Sequence, residues 1–263
     1  MIYVGTSGFS FRDWVGPFYP PGTPPAKMLE FYARQFAAVE INSTYYRLPD
    51  PRVMEGIAER TPRTFRITVK TPSDMTHERT GKRDAFRSFL RVIEPLQRAG
   101  KFHGALAQFP FGFRNTPENR DYLRAVRDAL EELDLFVEFR HESWNREETF
   151  VLLRELALGF VCVDEPALPG LFPDRVEVIG RVAYVRLHGR NATQWWTGDR
   201  HRRYDYLYSD QELREWARRI HRLSNEARDT FVFFNNCYGG SAAQNAGQMS
   251  LLLGQLQDLD EGM

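Results

Sequence analysis

The chain has 263 residues, with 35 Lys plus Arg set against 35 Asp plus Glu, 42% hydrophobic residues and only two cysteines. Balanced charge leaves the whole-molecule field silent about a nucleic-acid partner, so any such affinity has to come from local clusters. Cys162 and Cys237 form no CxxC pair and no metal-ligand spacing, which excludes a disulfide framework and leaves two structural thiols in a reducing compartment. No uncharged apolar run reaches membrane length and no basic segment precedes an apolar one at the start, so a soluble, cytoplasmic protein with no membrane partner is expected.

In chain order, short apolar runs predict strands at Ile2 to Thr6, Ala38 to Asn42, Phe65 to Lys70, Gly104 to Phe109, Leu135 to Arg140, Phe160 to Asp164, Ala183 to His188 and Phe231 to Asn235. Amphipathic stretches between them predict helices at Lys27 to Phe36, Pro51 to Arg60, Lys82 to Ala99, Pro117 to Leu133, Arg146 to Leu158 and Asp210 to Ser224, with a last helix at Ala242 to Leu256. Glu165 to Gly180 is rich in Pro and Gly and holds no clear helix. Eight strands alternating with helices, undivided by a linker or low-complexity tract, describe one α/β domain over residues 1–263: a TIM-type (β/α)8 barrel with a weak helix between strands six and seven.

Strands buried on both faces should be continuously apolar, and several of these are not. Phe65, Ile67 and Val69 alternate with Arg66, Thr68 and Lys70; Val137 and Phe139 with Glu138 and Arg140; Val185 and Leu187 with Arg186 and His188. If the apolar set faces the helices, the polar set fills the lumen and gathers at the C-terminal mouth, where barrel enzymes keep their chemistry. Enclosing Glu138, Arg140, Lys70, Arg186 and Asp164 together costs several kcal/mol for each unpaired ion. They must therefore pair with a ligand or with one another, the second case being an ion-pair network that simply plugs the barrel.

Longer stretches carry a resemblance. Gly5-Thr6-Ser7-Gly8-Phe9-Ser10-Phe11 with Trp14, Phe18-Tyr19-Pro20, Val39-Glu40-Ile41-Asn42-Ser43-Thr44-Tyr45-Tyr46-Arg47, Thr76-His77, Glu138-Phe139-Arg140-His141-Glu142-Ser143-Trp144, Arg186-Leu187-His188-Gly189-Arg190, and Phe234-Asn235-Asn236 followed by Ala243 and Asn245-Ala246 resemble the YecE-like proteins, the domain-of-unknown-function family number 72. The resemblance runs from the first strand to the last helix and implies a TIM-barrel-like fold, without supplying a reaction. Phe9 and Phe11 stand where Trp and Tyr are expected, which keeps an aromatic wall and removes a polar donor.

The residues themselves support three functional readings. The first is an enzyme acting on a phosphorylated or otherwise anionic polar substrate, with Lys70, Arg140, Arg186 and Arg190 binding charge and Glu138, Asp164 or His188 moving protons. Thr6 and Ser7, in a small-residue turn after the first strand, can offer hydrogen bonds to an anion; Asn42, Gln108, His141 and Asn235 at strand ends can orient a polar ligand. The second reading is a glycosidase-like hydrolase using Glu40 and Glu138, with tryptophans as sugar platforms, against which stand the nearby cations that would hold a general acid ionised. The third is a non-catalytic module binding single-stranded nucleic acid through Gly189 to Tyr208. That segment mixes Arg190, Arg200, His201, Arg202 and Arg203 with Trp195, Trp196, Tyr204, Tyr206 and Tyr208, alongside Asp199 and Asp205. Cations follow phosphates and rings stack on bases, and loops longer than about 12 to 15 residues are usually functional, so a mobile lid is expected here. No metal is expected, since no HxH or HExxH pair occurs and cations in the lumen repel a divalent ion. No cofactor is expected either, the Gly5 to Phe9 turn being too short for a dinucleotide fingerprint.

Overall fold

The computed structural model describes residues 1–79, 83–131, 133–197 and 200–261. Eight parallel strands close into a barrel in sequence order: β1 (Ile2–Ser7), β2 (Ala38–Ile41), β3 (Arg66–Lys70), β4 (Phe102–Gln108), β5 (Leu135–Glu138), β6 (Gly159–Asp164), β7 (Val182–Leu187) and β8 (Asp229–Phe234). The helices are α1 (Pro25–Gln35), α2 (Pro51–Glu59), a single turn α3 (Ser73–Thr76), α4 (Arg83–Arg98), α5 (Pro117–Ala129), α6 (Glu147–Glu155), the short α7 (Arg200–Arg203), α8 (Asp210–Glu226) and α9 (Ser241–Glu261). Between β6 and β7 the chain forms no helix, as its Pro and Gly content requires. Lys82, where the third predicted helix begins, lies outside the described residues.

Local chemistry marks the helix starts. Pro51 and Pro117 occupy first-turn positions behind Asp50 and Thr116, whose side chains accept from the backbone N–H groups of Arg52 and Asn119. Ser209 and Glu212 form a reciprocal capping box on α8.

The main core lies between barrel and helices, where Ile67, Val69, Val137, Val185, Leu187 and Val232 are buried. The lumen is filled in layers of changing polarity. At the N-terminal end, Arg66 lies over the Tyr3 ring at 5.3 Å and its Nη1 is 2.6 Å from His103 Nε2, while Tyr3 stacks on Phe231. Above them Phe136, Tyr184 and Phe233 meet ring to ring. Gly104 and Gly159 leave space for Phe136, because a Cβ at either position would strike that ring. At Gly5 a Cβ would collide with the Ala38 carbonyl, so β1 and β2 can close only around glycine. The next layer toward the mouth is ionic.

Candidate functional site

Register decides which side chains share the upper lumen. Ser7 pairs with Glu40, Glu40 with Thr68 and Gln108 with Glu138 across neighbouring strands. Alternation then points Ser7, Glu40, Thr68, Lys70, Gln108, Glu138, Tyr184, Arg186 and His188 inward. Glu40, Glu138 and His188 are 0% exposed and Arg186 is 1% exposed, so this layer is cut off from water.

The charges are arranged as a chain. Arg186 donates from Nη2 to Glu40 Oε1 at 2.7 Å and from Nη1 to Glu138 Oε2 at 2.5 Å, bridging the two carboxylates. The other oxygen of Glu138 faces Arg140 Nε at 2.7 Å, and Arg140 donates from Nη1 to Glu165 Oε2 at 2.6 Å. Glu40 accepts a further bond from the Tyr184 hydroxyl at 2.7 Å, which commits that proton and leaves the Thr68 hydroxyl as donor to the Tyr184 oxygen at 2.9 Å. Burial alone would raise the Glu138 carboxyl, yet Arg140 and Arg186 outweigh it and hold the group well below the carboxylate range. Burial lowers His188 to about 3, with Arg140 adding to the effect, so its ring is neutral near pH 7. Asn235 Nδ2 lies 3.0 Å from His188 Nδ1 and fixes the ring plane.

Lys70 is held differently. Its ammonium donates to Gln108 Oε1 at 2.8 Å and lies over the Tyr45 ring at 4.3 Å. Among the described residues it pairs with no carboxylate. Burial, reinforced by the Arg186 charge, lowers it to about 7. Tyr45 also borders a cleft of about 380 Å³ with Tyr46, Arg47, Pro72, Asp74 and Asp84, a cleft that Lys70 itself does not line.

Comparison with known proteins fits this architecture. Residues 3–261 match the model of the family described as protein of unknown function DUF72. The chain belongs to the DUF72 family. It is 34% identical to the UPF0759 protein YunF of Bacillus subtilis over 271 residues, covering 96% of this chain and 95% of that one. With the UPF0759 protein YecE of Escherichia coli K12 it shares 33% identity over 149 residues, 55% of this chain and 50% of the relative. The crystal structure of a DUF72 family protein from Thermotoga maritima superposes with a TM-score of 0.90 at 45% identity, covering 96% of this chain and 99% of that one. One from Enterococcus faecalis gives 0.87 at 30% identity, covering 97% and 96%.

Several residues singled out from the sequence take other places in this DUF72 barrel. Asp164 points out of the lumen. It accepts from Arg190 at 2.8 Å and from the Tyr208 hydroxyl at 2.5 Å, and Arg190 continues to Glu212 at 3.0 Å, so both charges tie β6 and the β7 loop to α8. The run Phe160-Val161-Cys162-Val163 is apolar on both faces, which hides its parity; Val161 and Val163 face inward, and Glu165, one residue past the strand, is the carboxylate that reaches the mouth. Thr6 also faces outward, its hydroxyl engaged by Tyr32 and by the Gly8 carbonyl, whereas Ser7 Oγ lies 3.4 Å from Arg186 Nη2 in the lumen. Glu40 and Glu138 do share the lumen, but as partners of Arg186 beneath the mouth, closed to a bulky substrate.

Gln108 is buried between Lys70 and the Phe109 carbonyl, Asn42 stands half-buried at the rim, and His141 turns sideways to accept from the Ser143 N–H and pack on Phe111. The Gly189 to Tyr208 segment is joined to the fold more closely than its length implies. Trp195 is 2% exposed beneath the guanidiniums of Arg140 and Arg203, Tyr208 is buried, and α7 lies within the segment. Trp196, 52% exposed and edge-on to Phe111, is the tryptophan that faces outward. Asp199 and the side chains of Arg200 and His201 lie outside the described residues. Among the described residues no cluster of three His, Cys, Asp or Glu groups suits a metal ion, and no helix is long and apolar enough to cross a membrane.

Proposed function

We propose that the C-terminal mouth binds an anionic, polar substrate such as a phosphate ester, and that the protein is an enzyme acting on it by proton transfer without a cofactor. One observation carries the reading. Both arginines of the upper lumen, Arg140 and Arg186, have carboxylate partners, whereas half-buried Lys70 meets only an amide oxygen and an aromatic face among the described residues. A partly desolvated ammonium without a counter-charge attracts an anion more strongly than an exposed lysine does. His188, kept neutral near pH 7 by burial and by Arg140, can offer a hydrogen bond to such a substrate but resists taking up a proton. The ionic layer beneath is rigid scaffolding for this cation, which weighs against Glu40 and Glu138 as a hydrolytic pair.

Thermal unfolding with increasing phosphate tests the proposal. An anion at 100 times its dissociation constant stabilises by about 2.7 kcal/mol, and Lys70→Met should abolish that gain while folding normally. Equal phosphate stabilisation of both proteins refutes it. A second reading, single-stranded nucleic acid as the anion, is favoured by Tyr46 and Trp196, 70% and 52% exposed on loops around the mouth. Oligonucleotide titration at two salt concentrations separates the two: a polymer contact weakens steeply with salt, and no affinity at low salt removes this reading.

A further inference from the structure

The ionic chain in the lumen has an odd member. Arg186 and Arg140 supply two positive charges, while Glu40, Glu138 and Glu165 supply three acidic groups. Arg186 is fully committed to the first two, and Arg140 divides itself between Glu138 and Glu165. The Glu165 side chain is 2% exposed, its Oε2 takes the Arg140 bond, and its Oε1 is buried with no hydrogen-bond partner. An ionised carboxylate leaves such an oxygen poorly at such depth, because lost hydration is not replaced. A carboxylic acid is different: its second oxygen carries a proton available to an incoming acceptor.

The position suits that use. Lys70, Gln108, Arg140 and Glu165 stand at or just beyond the ends of β3, β4, β5 and β6, four consecutive strands that neighbour one another at about 4.8 Å. Arg140, which bonds Glu165, also stands close enough to Lys70 to oppose its charge, so Lys70 and Glu165 flank the same guanidinium at the mouth. We propose that Glu165 is a carboxylic acid in the ligand-free barrel and donates a hydrogen bond from its free oxygen to the anion held by Lys70. The inference rests on the anion reading above and adds a second recognition group to it. The groups acting on Glu165 are Arg140 and Glu138 from the β5 side and Asp164, the residue before it, while Arg186 bonds Glu138, His188 lies against Arg140, and Tyr204 of the loop after β7 is near Arg140. Burial raises the Glu165 carboxyl to about 7 against the pull of Arg140, in keeping with this geometry.

Sulfate is the probe, since its own charge is constant over the working range. Calorimetric titration of the full chain with sodium sulfate should show affinity falling as pH rises through neutrality, because both Lys70 and Glu165 must hold a proton for tight binding. Above about pH 8 two required protons give close to a hundredfold loss per pH unit, and one gives about tenfold. Wild type should follow the first slope. Glu165→Gln, which keeps an oxygen for Arg140 and supplies a permanent N–H donor, should follow the second. A merely structural Glu165 would leave the slope unchanged in Glu165→Gln, and that result overturns the assignment while the anion reading stands. Absence of sulfate binding at any pH overturns both. Should Glu165→Gln fail to fold, infrared spectroscopy of the wild type decides: a protonated-carboxyl band lost between about pH 6 and pH 8.5 supports the assignment, and no such band contradicts it.

Discussion

Replacing Arg186 with Met keeps most of the side-chain length and removes the guanidinium that joins Glu40 to Glu138. Both carboxylates are 0% exposed, with Arg186 contacts of 2.7 and 2.5 Å. Glu138 retains Arg140 at 2.7 Å, but Glu40 is left with the Tyr184 hydroxyl alone. Removing one partner of a buried ion pair costs about 3 to 5 kcal/mol, since the other charge stays desolvated. With one orphan fully uncompensated and the other partly so, the expected loss is about 4 kcal/mol, a large part of the roughly 5 to 15 kcal/mol that holds a protein folded. Urea unfolding at neutral pH measures it. The double variant Arg186→Met with Glu40→Gln should recover most of the loss, because a neutral amide can still accept from Tyr184. A single variant within about 1 kcal/mol of wild type, or a double variant no better than the single, refutes the claim that this layer is held by ionic pairing.

The same layer sets the response to acid. His188 is lowered to about 3 from an ordinary 6.5, so below pH 6.5 the unfolded ring takes a proton that the folded one refuses; stability falls as pH drops from 6.5 toward 3, and His188→Gln should flatten that part of a urea-midpoint profile. The depressed Glu138 carboxyl stabilises the fold above about 4.5 and loses that contribution as pH falls through its folded-state value, so Glu138→Gln should be less sensitive to acid while less stable at neutral pH. Trp195→Ala should lower stability by about 3 to 5 kcal/mol in calorimetric melting, because it empties a site that is 2% exposed beneath Arg140, and a change under about 1 kcal/mol would return the segment to the role of a free lid.

The barrel was legible because its signals are local. Each strand is a short apolar run, each helix an amphipathic stretch, and most boundaries fall within a few residues of the expected ones, as at Leu135 and Asp210. The polar lumen was legible where one face of a strand is polar, as in β3 and β7, since alternation then reveals direction. In β6 it was not: with Val161, Cys162 and Val163 all apolar, nothing in the sequence distinguishes the outward Asp164 from the inward Glu165. Partnership was equally hidden. That Arg190 serves Asp164 and Glu212, that Trp195 lies under Arg140, and that Lys70, unlike Arg140 and Arg186, meets no carboxylate among the described residues are products of closure between strands distant in sequence, so composition and spacing do not encode them directly.

The cation at the rim is the center of this account, and a crystal soaked in sodium sulfate tests it most directly. Wild type should show sulfate oxygen within about 2.7 to 3.1 Å of Lys70 Nζ, and Lys70→Met should show none there under the same conditions. Sulfate found only on outer lysines and arginines, or seated at the mouth equally in both proteins, would contradict it.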